Sequence, residues 1–309
     1  MIGAIVFATN QGLGYLARDF YNNGIIDKVF VYPHSTRKNH YDWYDNRVDT
    51  PEDLLDCDTI LMFETPIDWT IIPKARAKGV KTALMPMYEC TPYPLRYIPD
   101  LILTPSDLDH QYYPEGKRIN VPVDVKWKMR TVAKVFVHNA GNGGLGGRNG
   151  TKELLESLKH IKSPIKLIIR SQSLDLKCDD PRVEIIKDNV PFEELYSKGD
   201  VFVFPEKFNG LSLPIQESFA SGMPVMCGDR FPMNEWLPKE ILIPIKGYKK
   251  ERIMTEFDCA IIDPVEIAKT IDYWYNKDIT KLSLQGKKFN ENNSWKKLKE
   301  KYKEVLSQL

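Results

Sequence analysis

Two doubly wound α/β domains facing each other across a cleft are what this 309-residue sequence predicts, and three observations carry the expectation. Short apolar runs alternate with helical or polar connectors along the chain, as in β-α units stacked on parallel sheets. The series is interrupted once, around residues 120–124, and then begins again. Composition fits as well: 42% hydrophobic and 28% charged residues describe a globular chain, and its length accommodates two ordinary α/β domains.

In the first series, strands are expected at residues 2–8, 28–32, 59–63, 81–85 and 100–104, with helical or irregular connectors at 18–23, 68–78 and 107–113. Pro122 and its polar flanks mark 120–124 as a crossing segment. The second series has strands at 134–138, 165–170, 183–186, 201–205 and 224–227, with helices at 151–160, 191–198 and 214–221. Residues 294–309 form an amphipathic helix with Trp295, Leu298, Tyr302, Val305 and Leu306 on one face. The expected division is therefore 1–125, 126–290, and a terminal helix, 291–309, returning to the first domain.

Several function classes are disfavoured at once. Lys and Arg total 43 against 42 Asp and Glu, so there is no basic excess of the kind a nucleic-acid-binding module carries. The five cysteines are scattered, with no zinc-ligand or redox spacing. The opening run Met1-Ile2-Gly3-Ala4-Ile5-Val6 reads as a strand rather than a leader, and no apolar run reaches membrane-spanning length. A cytoplasmic protein without a membrane span is expected.

The chemistry concentrates in residues 201–225. A buried strand enters a loop, Glu206-Lys207-Phe208-Asn209-Gly210-Leu211-Ser212, and a helix starts near Pro214, a residue well tolerated in a first turn. Exposed loop N–H groups at a helix start suit a diphosphate. Glu217, one turn in, is placed to accept hydrogen bonds from a ribose diol. Gly222 and Pro224 then end the helix.

This segment resembles the donor-site signature of family 4 retaining glycosyltransferases (glycosyl transferases group 1), in which a glycine-containing loop and a Pro-x-x-Glu helix precede Ala-x-Gly-x-Pro-Val. The run Ala220-Ser221-Gly222-Met223-Pro224-Val225 follows the second half. The resemblance implies the GT-B fold, a nucleotide-sugar donor of the UDP or GDP type, and donor contacts at Gly210, Leu211, Ser212, Leu213 and Glu217. One departure stands out: where the family has a glutamate near the transferred sugar, this chain has Asn209, and Glu206 is the nearest carboxylate in sequence.

Other positions complete the expected site. The glycine-rich stretch 141–150 lies between a strand and a helix, where bare backbone approaches phosphates. There the resemblance implies donor contacts at Gly147 and Asn149, the latter standing where the family usually has lysine, and a phosphate cation at Arg148. Arg170 ends the next strand, where a guanidinium can fork onto phosphate oxygens. The turn around Asn189 and Val190 is similar to the family's base-binding turn. In the first domain, Gly12 and Gly14 follow the first strand as a donor-side glycine loop, and Glu64 and Glu89 are acceptor-side candidates. Asp107-Leu108-Asp109 reads as the acidic first turn of a helix, not as a metal motif.

Together these imply retaining transfer of a sugar to a carbohydrate, glycoconjugate or protein acceptor, with Arg148, Arg170, Glu206 and Asn209 as the catalytic candidates. No metal and no further cofactor are expected. The alternatives are an epimerase or hydrolase acting on the sugar nucleotide, a non-catalytic sugar-nucleotide binder, and a virus-type transferase glycosylating modified nucleic acid bases, which the charge balance does not indicate.

Overall fold

A computed structural model describes residues 1–172, 175–187 and 190–309 of the chain. The chain divides into two compact units. One comprises Met1–Pro122, Arg252–Glu256 and Trp295–Leu309, and the other Val123–Glu251 and Phe257–Ser294.

The first unit is built on seven parallel strands: β1 (Ile2–Val6), β2 (Lys28–Val31), β3 (Arg47–Val48), β4 (Thr59–Phe63), β5 (Lys81–Met85), β6 (Leu101–Thr104) and β7 (Lys117–Arg118). Their spatial order is β3-β2-β1-β4-β5-β6-β7, the doubly wound order, with a topological switch between β1 and β4. Alternation along β4 sends Ile60 and Met62 to a cluster with Ile71, Ile72 and Ala75 of α2 (Ile71–Ala77). On the opposite face Phe63 meets Phe20 of α1 (Gly12–Asn22) edge-on at 5.4 Å between ring centroids. The short helix α3 (Asp107–Tyr112) follows β6, its first turn capped by Ser106, which accepts from the Asp109 N–H.

In the second unit, β8 (Val135–Gly141), β9 (Lys166–Ser171), β10 (Val183–Ile186), β11 (Val201–Val203) and β12 (Val225–Met226) form a parallel sheet in the order β10-β9-β8-β11-β12. Its switch point falls between β8 and β11. Phe136, Leu167, Ile169, Val201 and Val203 face α4 (Thr151–Ser157) and α6 (Pro264–Trp274), packing with Leu154, Ile267 and Ile271. Val137, Ile168, Phe202 and Phe204 face the other way, packing with Ile215 and Phe219 of α5 (Leu213–Ala220) and with Phe289 of α7 (Thr280–Asn292). A hairpin follows β12: β13 (Ile245–Arg252) and β14 (Glu256–Ile262). The last helix, α8 (Trp295–Ser307), belongs to the first unit, where Trp295 and Tyr302 lie 5.1 and 4.8 Å from Phe20 between ring centroids.

The structure departs from the expected elements in a few places. Residues 191–198 hold only a 3-10 turn, Phe192–Glu194, where a helix is expected. α1 starts at Gly12 rather than near Arg18 because Gly14 lets the helix approach the preceding loop. A Cβ there would sit 2.1 Å from the Thr9 carbonyl oxygen.

Candidate functional site

Open α/β sheets bind ligands beyond the carboxyl ends of their strands at the switch point. In the second unit that point is flanked by the loops after β8 and β11, which carry most of the expected donor residues. The two loops are stitched together. Gly150, at φ +71°, abuts Pro205 so closely that a Cβ would lie 2.1 Å from the Pro205 carbonyl oxygen. The Lys207 N–H donates to the Arg148 carbonyl at 2.8 Å, and Lys207 Nζ pairs with Glu153 at 2.8 Å. The Arg148 guanidinium lies 5.9 Å over the Phe208 ring, so the expected phosphate cation sits at this seam.

The loop after β11 is organised by a network that sequence reasoning missed. Glu206 is buried, and Arg230 Nη2 donates to its Oε2 at 2.7 Å. Arg230 also donates from Nε to the Glu206 carbonyl (2.9 Å) and from Nη1 to the Asn209 carbonyl (3.0 Å). Asn209 Nδ2 donates to Glu206 Oε1 at 3.0 Å, while Asn209 Oδ1 accepts from the N–H groups of Leu211 and Ser212 at 3.1 and 3.0 Å. This geometry explains the departure at position 209. A carboxylate there would face Glu206, whereas an amide donates to Glu206 and accepts from the loop simultaneously. It also revises two expectations. Glu206 is enclosed in an ion pair, and the Leu211 and Ser212 N–H groups are engaged by Asn209. Arg230 stands four residues beyond β12, and no local sequence signal ties it to Glu206.

Ser212 caps α5 at φ +43°, a left-handed conformation unusual for a residue with a Cβ. Its side chain is buried and Oγ has no hydrogen-bond partner. Gly210 precedes it, and Leu213 opens the helix. One turn in, Glu217 accepts from the Tyr196 hydroxyl at 2.6 Å. Burial and the neighbouring Glu217 carboxylate push the Tyr196 phenol well up, so it remains a proton donor.

Arg170 is the penultimate residue of β9 and is 5% exposed, with Nε and Nη1 lacking hydrogen-bond partners. Its register partner on β8 is Asn139, so both side chains point to the α5 face. His138, one residue earlier, points to the α4 face and is fully buried. Its Nδ1 donates to the Val203 carbonyl at 2.8 Å, which leaves Nε2 to accept from Thr151 Oγ1 at 2.8 Å. Burial lowers this imidazole to about 4, so it is a neutral strut between β8, β11 and the start of α4. Asn149 Nδ2 donates to the Ala140 carbonyl at 3.0 Å, closing the glycine loop on itself, and Gly147 lies at φ +67° within that loop. Val190 follows β10; Asn189 lies outside the described residues.

The first unit holds the remaining candidates. Gly12 and Gly14 open α1, beyond β1. Glu64 follows β4 at φ +62°; its N–H donates to the Met85 carbonyl and its carbonyl accepts from Thr91 Oγ1, both at 2.8 Å. Glu89 is buried near Asp109, whose carboxyl is pushed up to about 7, first by burial and then by the Glu89 charge. Asp109 accepts from the Tyr88 N–H at 2.8 Å and from Ser106 Oγ, as befits a structural first-turn residue. Among the described residues, no three His, Cys, Asp or Glu side chains converge as a metal site would require, and no helix is long and apolar enough to cross a membrane. A cavity of about 380 Å³ lies elsewhere, beside Lys128, Thr131, Lys166 and Asp200 near the amino ends of β8 and β9.

No protein-family model matches the chain, and a search of curated proteins finds no match. Solved structures do match. The Anabaena protein HepE in complex with UDP-glucose superposes with a TM-score of 0.73 at 13% identity, covering 100% of this chain and 99% of that one. Sucrose-phosphate synthase from Thermosynechococcus elongatus gives 0.65 at 13% identity, again over 100% and 99%. The lipopolysaccharide outer core galactosyltransferase WaaB in its apo form gives 0.66 at 13% identity, over the full length of both chains. At such identities the likeness is one of fold, and the chain has two Rossmann-like units of the GT-B type.

Proposed function

We propose that this chain is a retaining glycosyltransferase that uses a UDP- or GDP-sugar and transfers the sugar, without a metal ion, to a carbohydrate, glycoconjugate or protein acceptor. The observation that carries the reading is the convergence, at the switch point of one sheet, of Arg148, the Asn209–Leu213 loop and the α5 start with Glu217 one turn in. The complexes of HepE with UDP and with UDP-glucose support it by likeness of fold.

In this reading Glu217 receives the ribose hydroxyls, while Arg148 and the positive end of α5 face the diphosphate. Because charge on the departing diphosphate grows toward the transition state, a fixed guanidinium and helix dipole lower the barrier more than they tighten ground-state binding. Glu206 and Asn209 position the loop rather than touch the sugar. Retention is drawn as front-side transfer, with no protein nucleophile assigned. Gly12 and Gly14 are donor-side candidates, Glu64 and Glu89 the acceptor-side ones, and Val190 with Asn189 the base-side ones.

A thermal-shift screen of sugar nucleotides, followed by mass spectrometry of transfer with and without chelator, tests the proposal. Stabilisation by one sugar nucleotide and chelator-resistant transfer are expected. Donor turnover that never needs an acceptor would replace the reading with hydrolysis or epimerisation, and absence of any nucleotide binding would end it.

A further inference from the structure

The cavity of about 380 Å³ at the amino ends of β8 and β9 lies at the end of the second unit's sheet opposite the loops that follow β8 and β11. One wall comes from the segment before β8, the other from the turn that leads into β11, Ser197–Asp200. Where a helix is expected over 191–198 the chain makes only the turn Phe192–Glu194, and the cavity occupies this end of the α5 face. Val135 and Ile168, which pack with the α5-face cluster, reach it.

Charge sets this cavity apart. Over the whole chain 43 basic residues offset 42 acidic ones, yet the lining sets Lys128, Arg130, Lys166 and Lys198 against Asp200 alone. Asp200 is committed to the sheet edge, where its Oδ2 accepts from the Lys134 and Val135 N–H groups at 3.0 and 2.8 Å. Lys166 Nζ pairs with Glu184 at 2.6 Å. Among the described residues, Lys128, Arg130 and Lys198 form no ion pair. Arg130 is 3% exposed and donates only to carbonyls, those of Gly199, Lys128 and Tyr196, at 2.7, 2.9 and 2.9 Å. These bonds clasp one wall to the other and keep a positive charge in the buried lining, while Lys128 and Lys198 are exposed. A concavity of one sign with low-dielectric walls draws counter-ions into it.

We propose that this cavity is a second anion site, separate from the donor loops, and that it takes a small organic phosphate. Lys128 and Lys198 meet the phosphate from the rim, the buried Arg130 charge favours it from below, and the apolar body lies against Met129, Val135 and Ile168. The volume falls within the range of small-molecule pockets. The site stands whether or not the donor reading holds, because none of its residues belongs to the donor loops.

The test is titration of the full chain with inorganic phosphate and with phenyl phosphate, followed by amide NMR, for wild type, Lys128→Glu/Lys198→Glu and Arg148→Ala. Both probes should move the amide resonances of Thr131 and Ser197–Asp200. Phenyl phosphate should bind about tenfold more tightly than phosphate, because its ring leaves water for apolar surface. The double reversal should weaken binding at these amides by about tenfold or more. It should leave the melting temperature unchanged, since both lysines are exposed and form no ion pair. Arg148→Ala should leave the shifts at Thr131 and Ser197–Asp200 as they are. Shifts confined to the loops after β8 and β11, or binding that survives the double reversal, would overturn the proposal. So would phenyl phosphate binding no more tightly than phosphate, which would leave only an open patch of lysines.

Discussion

Replacing Arg230 by methionine separates a structural Glu206 from a chemical one. Arg230 and Glu206 side chains are 2% and 1% exposed, and their contact is 2.7 Å. Arg230 also serves the carbonyls of Glu206, Asn209 and Phe231 at 2.9, 3.0 and 3.2 Å. Removing it strands a buried carboxylate, a change that costs about 3–5 kcal/mol. At roughly 2–4 °C per kcal/mol for a domain of 150–250 residues, the melting temperature should fall by about 6–20 °C. The double variant Glu206→Gln/Arg230→Met should recover most of the loss, since the unpaired charge is gone. The assay is differential scanning calorimetry of wild type, both single variants and the double variant, with turnover measured alongside. A stable Glu206→Gln variant whose turnover alone collapses would refute the reasoning and return Glu206 to the sugar.

Four further outcomes are expected. Glu217→Ala should weaken nucleotide binding by about 1.5–3 kcal/mol, the range for hydrogen bonds to a charged group, and unchanged affinity by titration would remove it from the ribose. Arg148→Ala should lower kcat more than it raises KM; equal losses in catalysis and in free nucleotide binding would mean ground-state anchoring only. Ser212→Gly should raise stability by about 1 kcal/mol by relieving the left-handed strain while weakening sugar-nucleotide binding through loss of its hydroxyl, and denaturant melts with paired titrations check both. The units should respond oppositely to pH. His138 has a lowered folded value of about 4, so the second unit is at full strength above ~6.5 and loses about 3 kcal/mol as pH falls toward 4. Asp109 has a raised folded value of about 7, so the first unit is favoured below ~4 and loses that advantage as pH rises through 7. Calorimetry across pH 4–8 should show this crossing, and an NMR titration of His138 near 6.5 would contradict it.

Much of the fold is legible from the sequence wherever a strand is buried on both faces. The runs at 59–63 and 81–85 coincide with β4 and β5, because largely buried residues end abruptly at polar, exposed ones. Edge elements escape this logic. β3 and β7 are two residues long, and β13, with Lys246, Lys249, Lys250 and Glu251, is mostly exposed, so neither apolar runs nor alternation announces them. α6 carried a readable signal, Asp263 before Pro264, and Asp263 does cap the helix by accepting from the Val265 N–H. Within the site, sequence order brings Glu217 one turn past Pro214. It cannot reveal that Arg230 returns to Glu206, or that Tyr196 reaches Glu217, because both contacts are closed by tertiary packing between distant segments.

The close approach of Gly150 to Pro205 has a consequence for how this protein can be altered. With the loops after β8 and β11 fastened there and at Lys207, the glycine stretch is anchored at its downstream end. A Cβ at Gly146 or Gly147 would meet nothing within 4 Å, while one at Gly150 would collide with backbone. Insertions are therefore accommodated at 146–147, where added residues extend into open space, whereas a Cβ at Gly144 would lie 2.4 Å from Asn149 Oδ1. The same insertion at 149–150 would pry the two loops apart and disturb Asn209 and Ser212 without changing either residue. A designer varying donor preference has one side of this loop to rewrite and one side to leave alone.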